Sequence, residues 1–160
     1  MMFGHNKNGI HAYSQVGLET GVLSASPNKL IIMLYEGAIK ACKNAIDNMQ
    51  SKDIPKKCTM ISNAILIIES GLRLSLNKKA GGEIAERLDA LYAYMSQRLM
   101  IANIQNKPEI INEVIQLLTD LKGAWEAIST TQEMKVEDSV VIPNQIAMAI
   151  NSKISEYAKV

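Results

Sequence analysis

The amino-acid sequence predicts an all-α protein, an antiparallel up-down four-helix bundle with an N-terminal arm or short helix before it and a fifth, shorter C-terminal helix after it. Three observations lead there. Apolar residues recur at steps of three and four over four long segments, the signature of helices with one buried face. Nearly half the chain is apolar (48%) while aromatics are only 4%, a mix that suits helix-on-helix packing better than a β-sandwich. The four prolines lie near expected helix starts and none interrupts a periodic segment, as proline's missing N–H requires.

Taken in order, residues 1–25 form an arm carrying Gly4, Gly9, Gly17 and Gly21, with Ile10, Tyr13, Val16 and Leu18 spaced for one or two helical turns. So short a segment is marginal in water unless it docks. Ser26-Pro27 then caps and opens the first long helix, whose seam is Ile31, Tyr35, Ala38, Cys42, Ala45 and Met49. Ser51-Lys52-Asp53 turns the chain, and Asp53 with Pro55 restarts it along Cys58, Ile61, Ile65, Ile68, Leu72 and Leu76. Asn77 to Gly82 ends that helix, and Glu83 places an acid in the first turn of the next, where the helix dipole favours it. The third seam is Ile84, Leu88, Leu91, Met95, Leu99 and Ala102. Pro108-Glu109 opens the fourth, along Ile111, Val114, Leu118, Leu121, Trp125 and Ile128. Helices of about 22 to 26 residues, roughly 33 to 39 Å long, joined by short turns must run antiparallel to their neighbours. The bundle is expected over residues 26–131 of a single domain. Residues 129–142 read as a polar linker, and Pro143 to Ala158 as the fifth helix with Ile146, Ile150 and Ile154 on one face, docked on the bundle or free.

Composition removes several classes of function. Seventeen basic against sixteen acidic residues give a net charge of +1 with no basic stripe, so the clustered cations of a nucleic-acid binder are missing. No apolar run reaches the roughly 20 residues of a membrane span. The first residues contain no apolar signal core. Cys42 and Cys58 fall on helical seams and read as packed thiols of a reduced, cytoplasmic protein. The two histidines, His5 and His11, both lie in the arm, so the Glu-x-x-His pairs of a di-metal bundle are lacking. Gly81-Gly82 lacks the spaced glycines and the lysine of a phosphate loop, and no nucleophile has a base beside it. The sequence does not read as an enzyme and calls for no cofactor or metal.

What it does contain is surplus apolar surface. Leu30 to Tyr35, Ile65 to Ile68 and Leu91 to Met95 supply more than one core can absorb. The arm, the fifth helix, a second copy or a partner must cover some of it. Either the arm completes the core, or it flanks a groove that receives a partner helix.

The run Ala12-Tyr13, Val16, Glu19-Thr20, Ser26-Pro27, Leu30-Ile31 and Met33-Leu34-Tyr35-Glu36-Gly37-Ala38 resembles the FliS family of flagellar secretion chaperones. The resemblance continues through Gly81-Gly82-Glu83-Ile84-Ala85, Leu88, Leu91-Tyr92, Tyr94-Met95, Arg98-Leu99, Ala102-Asn103, Ala124-Trp125 and Ile128, covering about residues 9–131. The chain departs from the family pattern at Ala80, where many members have lysine, and in its residues beyond 131. The resemblance implies a cytoplasmic, non-enzymatic chaperone that binds the C-terminal helical segment of flagellin, prevents premature polymerisation and delivers it to the flagellar export apparatus. It implies a monomer or weak homodimer. Ile10 and Tyr13 match arm residues tied to partner binding or self-covering in the family, with Val16 as their apolar neighbour. The groove is expected from Leu34, Ile65, Leu72, Leu91, Tyr92 and Met95. Contact with export gate components belongs to the same reading. The alternatives are a regulatory module binding a flagellar anti-sigma factor or other flagellar protein, a small helical enzyme or cofactor carrier, and a self-assembling structural protein.

Overall fold

Ser26 begins the described chain as a helix cap, its hydroxyl accepting the Lys29 N–H at 3.2 Å with Pro27 next in line. The computed structural model describes residues 26–134, and side chains as far as Thr131. The arm over 1–25 and the fifth helix over 143–158 lie outside the described residues. Within them are four helices and no strand. α1 is Pro27–Gln50 and α2 is Ile54–Leu66, continued by a π-helical segment, Ile67–Arg73. α3 is Lys78–Gln105 and α4 is Pro108–Met134.

The turns follow from local chemistry. Lys52 and Asn106 take left-handed conformations (φ 61° and 52°) in the tight turns after α1 and α3. The Asp53 carboxylate caps α2 by accepting the Lys56 N–H at 3.2 Å, and the Asn77 amide oxygen caps α3 through the Ala80 N–H at 3.0 Å. Each such cap contributes about 1 kcal/mol. α1 packs beside α2 and α4, and α3 packs beside α2, its π segment and α4. Ion pairs join opposite ends of neighbouring helices, Lys122–Glu36 between α4 and α1 and Arg98–Glu113 between α3 and α4. Neighbours are therefore antiparallel, as short connections demand.

The core is built from Tyr35, Ala38, Cys42 and Ala45 of α1, Ile61, Ile68 and Leu72 of α2 and its π segment, Leu88 to Ala102 of α3, and Ile111 to Ile128 of α4. These positions match the expected seams closely. Two differences are informative. The second helix opens into π turns, with the Leu74 N–H reaching the Glu69 carbonyl at 3.2 Å. Ile68, Leu72 and Leu76 succeed one another at four-residue steps, which drift around an α-helix of 3.6 residues per turn. A wider turn keeps them on one side, and Gly71 lets α1 come close, since a Cβ there would lie 2.9 Å from Leu34 Cδ2. Second, residues 129–134 are helix, not linker. Ile128 is buried, and Ser129, Thr130 and Thr131 donate to the carbonyls four residues back instead of breaking the helix. Both cysteines are free thiols, as expected. Burial pushes Cys42 up to about 12, while Cys58 Sγ lies 3.5 Å from Asn103 Oδ1.

One buried charge holds the far end of the bundle. Lys57 is only 3% exposed, and its Nζ donates to the Asn103 carbonyl at 3.0 Å and to Asn106 Oδ1 at 2.6 Å. It meets a carbonyl of the last turn of α3, where the helix dipole favours a cation. Lys57→Met keeps the apolar stem but leaves both acceptors unsatisfied. Chemical denaturation is expected to show a loss of about 1–3 kcal/mol, and unchanged stability would remove Lys57 from this role.

Candidate partner-binding pocket

The end of the bundle opposite Lys57 is open. There the start of α1, the end of the π segment, the first turns of α3 and the late part of α4 surround a cavity of about 340 Å³. Its walls are apolar: Ile31 from α1, Leu72 and Leu76 after the π turns, Ile84 and Leu88 from α3, and Trp125 from α4. A volume of this size falls in the range of binding pockets.

Small residues keep it open. Ala80, Gly81 and Ala85 line the α3 side. A Cβ on Gly81 would lie 2.7 Å from the Ala85 Cβ, too close to be accommodated without movement. Gly82 has a different role. At φ 53° and ψ −131° it breaks α3 into one turn, Lys78 to Gly81, and the long helix beyond. Side chains rarely adopt that backbone conformation, so the Gly-Gly pair combines clearance at Gly81 with a bend at Gly82.

The inner wall rests on a polar connection across the core. The hydroxyls of Tyr35 on α1 and Tyr92 on α3 share a hydrogen bond of 2.5 Å, with ring centroids 6.5 Å apart. Trp125 lies beside the Tyr35 hydroxyl. Burial pushes the Tyr35 hydroxyl up to about 12, with the bond to Tyr92 and the neighbouring Trp125 acting in the opposite direction. Tyr92 lies well above the usual tyrosine range, again mainly through burial. An ionic network fixes the outer wall. Glu69 accepts from Ser96 at 2.7 Å and from Arg73 at 2.8 Å, while Asp89 accepts from Arg73 at 2.7 Å and pairs with Lys78 at 3.4 Å. The Arg73 bond, joined by Lys78, holds the Asp89 carboxyl below its ordinary range. The π segment is thereby tied to α3.

The expected groove residues separate into three groups. Leu72 and Tyr92 are buried yet border the pocket. Leu34 and Ile65 are half-buried and pack against the core from outside, with Leu34 over Gly71. Leu91 and Met95 are core residues, buried by 93% or more, and offer a partner no surface in this conformation. Their four-residue spacing on the inward face of α3 explains why. Ile10, Tyr13 and Val16 lie outside the described residues. Sequence reasoning missed Ile31, Leu76, Ile84 and Trp125 as pocket residues by assigning them to seams; the signal was the Gly81-Gly82 pair beside Ile84. Elsewhere the surplus apolar surface is plain at Leu66 (61% exposed), Leu74 (78%) and Ile104 (83%). Among the described residues, no group of His, Cys, Asp or Glu is placed to hold a metal ion, and no helix is long and apolar enough to cross a membrane.

Two outcomes follow. Gly82→Ala should cost about 1–3 kcal/mol by denaturant titration, whereas Gly123→Ala, in the helical interior of α4 with open space at its Cβ, should stabilise by a few tenths to about 1 kcal/mol. Equal effects would refute the backbone argument. The folded state holds Tyr35 protonated beyond its ordinary pKa of 10, so this contribution is full below pH 10 and is lost as pH rises through about 12. Tyr35→Phe is expected to be less stable at neutral pH, with the gap to the parent narrowing above pH 10; a pH-independent gap would contradict the assignment.

A family model described as FliS, flagellar protein FliS, matches residues 9–132. The chain is 43% identical over 125 residues to the flagellar secretion chaperone FliS of Salmonella typhimurium strain LT2, covering 78% of this chain and 93% of that protein. It is 40% identical over 118 residues to the chaperone of the same name from Escherichia coli K12, covering 74% and 87%. It is 41% identical over 117 residues to the flagellar secretion chaperone FliSB of Pseudomonas aeruginosa PAO1, covering 73% and 92%. The Ser-Pro opening of α1, the Gly-Gly bend of α3 and Trp125 all fall within the matched residues, and the chain belongs to the FliS family of flagellar proteins.

Proposed function

We propose that this protein is a cytoplasmic flagellar secretion chaperone that binds the C-terminal helical segment of flagellin, keeps it from polymerising early and delivers it to the export apparatus. The observation that carries the reading is the apolar pocket beside Trp125, found in a chain whose relatives are named flagellar secretion chaperones. A pocket lined by aliphatic and aromatic side chains, with few polar groups, suits the apolar face of an amphipathic segment. Leu34, Ile65, Leu66 and Leu74, half-buried or exposed on α1, α2 and the turn after its π segment, offer a wrapped partner further apolar surface.

The mode of action is binding. A partner segment that orders on contact covers a large apolar area, while the ordering cost holds the affinity down and keeps release accessible. Calorimetric titration with a peptide of roughly the last 40 flagellin residues should show one-to-one binding with a strongly negative heat-capacity change. Ile84→Asp, which puts a charge into the half-buried pocket wall, should weaken binding at least about tenfold, equivalent to 1.4 kcal/mol. Tyr13→Ala should weaken it with little loss of helix content. Absence of heat and of co-elution would remove flagellin as the partner; an unchanged affinity for Ile84→Asp would remove the pocket.

A further inference from the structure

The chain beyond Met134 is long enough to reach the pocket, and its composition suits it. Trp125 stands nine residues before Met134, where the described part of α4 stops. That is about 14 Å along a helix at 1.5 Å per residue. Eight residues, 135–142, span up to about 27 Å when extended, a length ample to lead from Met134 back onto the pocket. Beyond it lies Pro143 to Ala158, with Ile146, Ile150 and Ile154 at four-residue steps and Tyr157 three further on. Around this repeat, Ser139 to Ser152 contains no charged side chain. Such a stretch is costly to leave in water. The family match stops at residue 132, so this segment lies outside the region shared with the family.

We propose that Pro143 to Ala158 of the same chain docks as an amphipathic helix in the pocket formed by Ile31, Leu72, Leu76, Ile84 and Trp125. A proline at its first turn is where a helix accepts one, and the isoleucine stripe meets walls that are themselves aliphatic. An incoming partner then has to displace a tethered competitor, which lowers its apparent affinity by the fraction of molecules with the pocket open. The docking itself rests on the pocket; only this regulatory consequence rests on the pocket being the partner site.

Trp125 is the only tryptophan in the sequence, so fluorescence of the full chain reads the pocket directly. The double variant Ile146→Asp/Ile150→Asp should raise the acrylamide quenching constant of Trp125 at least twofold and move its emission to longer wavelength. A synthetic peptide of residues 139–160 added to that variant should reverse both changes. Ser155→Asp, on the opposite face of the helix, should leave them as in the parent. Unchanged quenching in the double variant would overturn the proposal. So would an equal rise in Ser155→Asp, or a rise in Ile10→Asp in place of the double variant, which would make the N-terminal arm the occupant. No flagellin enters this measurement, so its failure leaves the chaperone reading standing, and a failed flagellin titration leaves this inference standing.

Discussion

The hydrogen bond between the Tyr35 and Tyr92 hydroxyls spans the bundle from α1 to α3, two helices that are not sequence neighbours. Both hydroxyls are removed from water, and a buried polar group without a partner costs about 1–3 kcal/mol. Each therefore constrains the other, and Trp125 of α4 lies beside the Tyr35 hydroxyl. Two helices are set relative to one another by this one polar connection in a largely apolar core. The pocket lies directly against it, because Tyr92 and Trp125 form part of its wall. Without that connection, apolar packing alone would favour closing the gap that Ala80, Gly81 and Ala85 leave open.

The two ends of the bundle solve different problems. At one, Lys57 inserts into the end of α3 and takes up acceptors that would otherwise be stranded. At the other, the helices splay around small residues, and the Glu69, Arg73, Asp89 and Lys78 network braces the walls from outside. Exposed pairs of this kind contribute little individually to stability. Their value here is geometric, since they fix the π segment against α3 on one side of the cavity. A braced cavity is a better receptor than a collapsible one, because less ordering is left to be done when a segment enters.

The helices were legible from periodicity, and the core residues Tyr35, Ala38, Ile61, Leu88, Leu99 and Leu118 sit where three- and four-residue steps put them. The caps Ser26 and Asp53 were legible from residue type and position. The site was less so. Leu91 and Met95 carry the same chemistry as Ile84 and Leu76, and sequence alone does not distinguish an apolar residue facing three helices from one facing a gap. That distinction arises from how four helices converge, which depends on Gly81, Gly82 and the Tyr35–Tyr92 contact. The extension of α4 past Ile128 was hidden for a simpler reason. Ser129 to Thr131 are residues that favour loops, yet here their hydroxyls turn back onto carbonyls four residues earlier within a continuing helix.

The π segment gives this protein one place where a helix can lose a residue without losing its register. A π turn holds an additional residue relative to an α turn, and Ile67–Arg73 lies immediately before Leu76 and Asn77, which form part of the pocket rim. Deleting one residue there would let the helix relax to regular α geometry at little local cost. Because the π turn carries the extra residue, Leu76 would keep roughly its direction, whereas a deletion in a regular α turn would rotate everything after it by about 100°. Point substitutions in the same turns perturb single contacts; a change in residue number in the regular turns of α2 would re-index a whole wall.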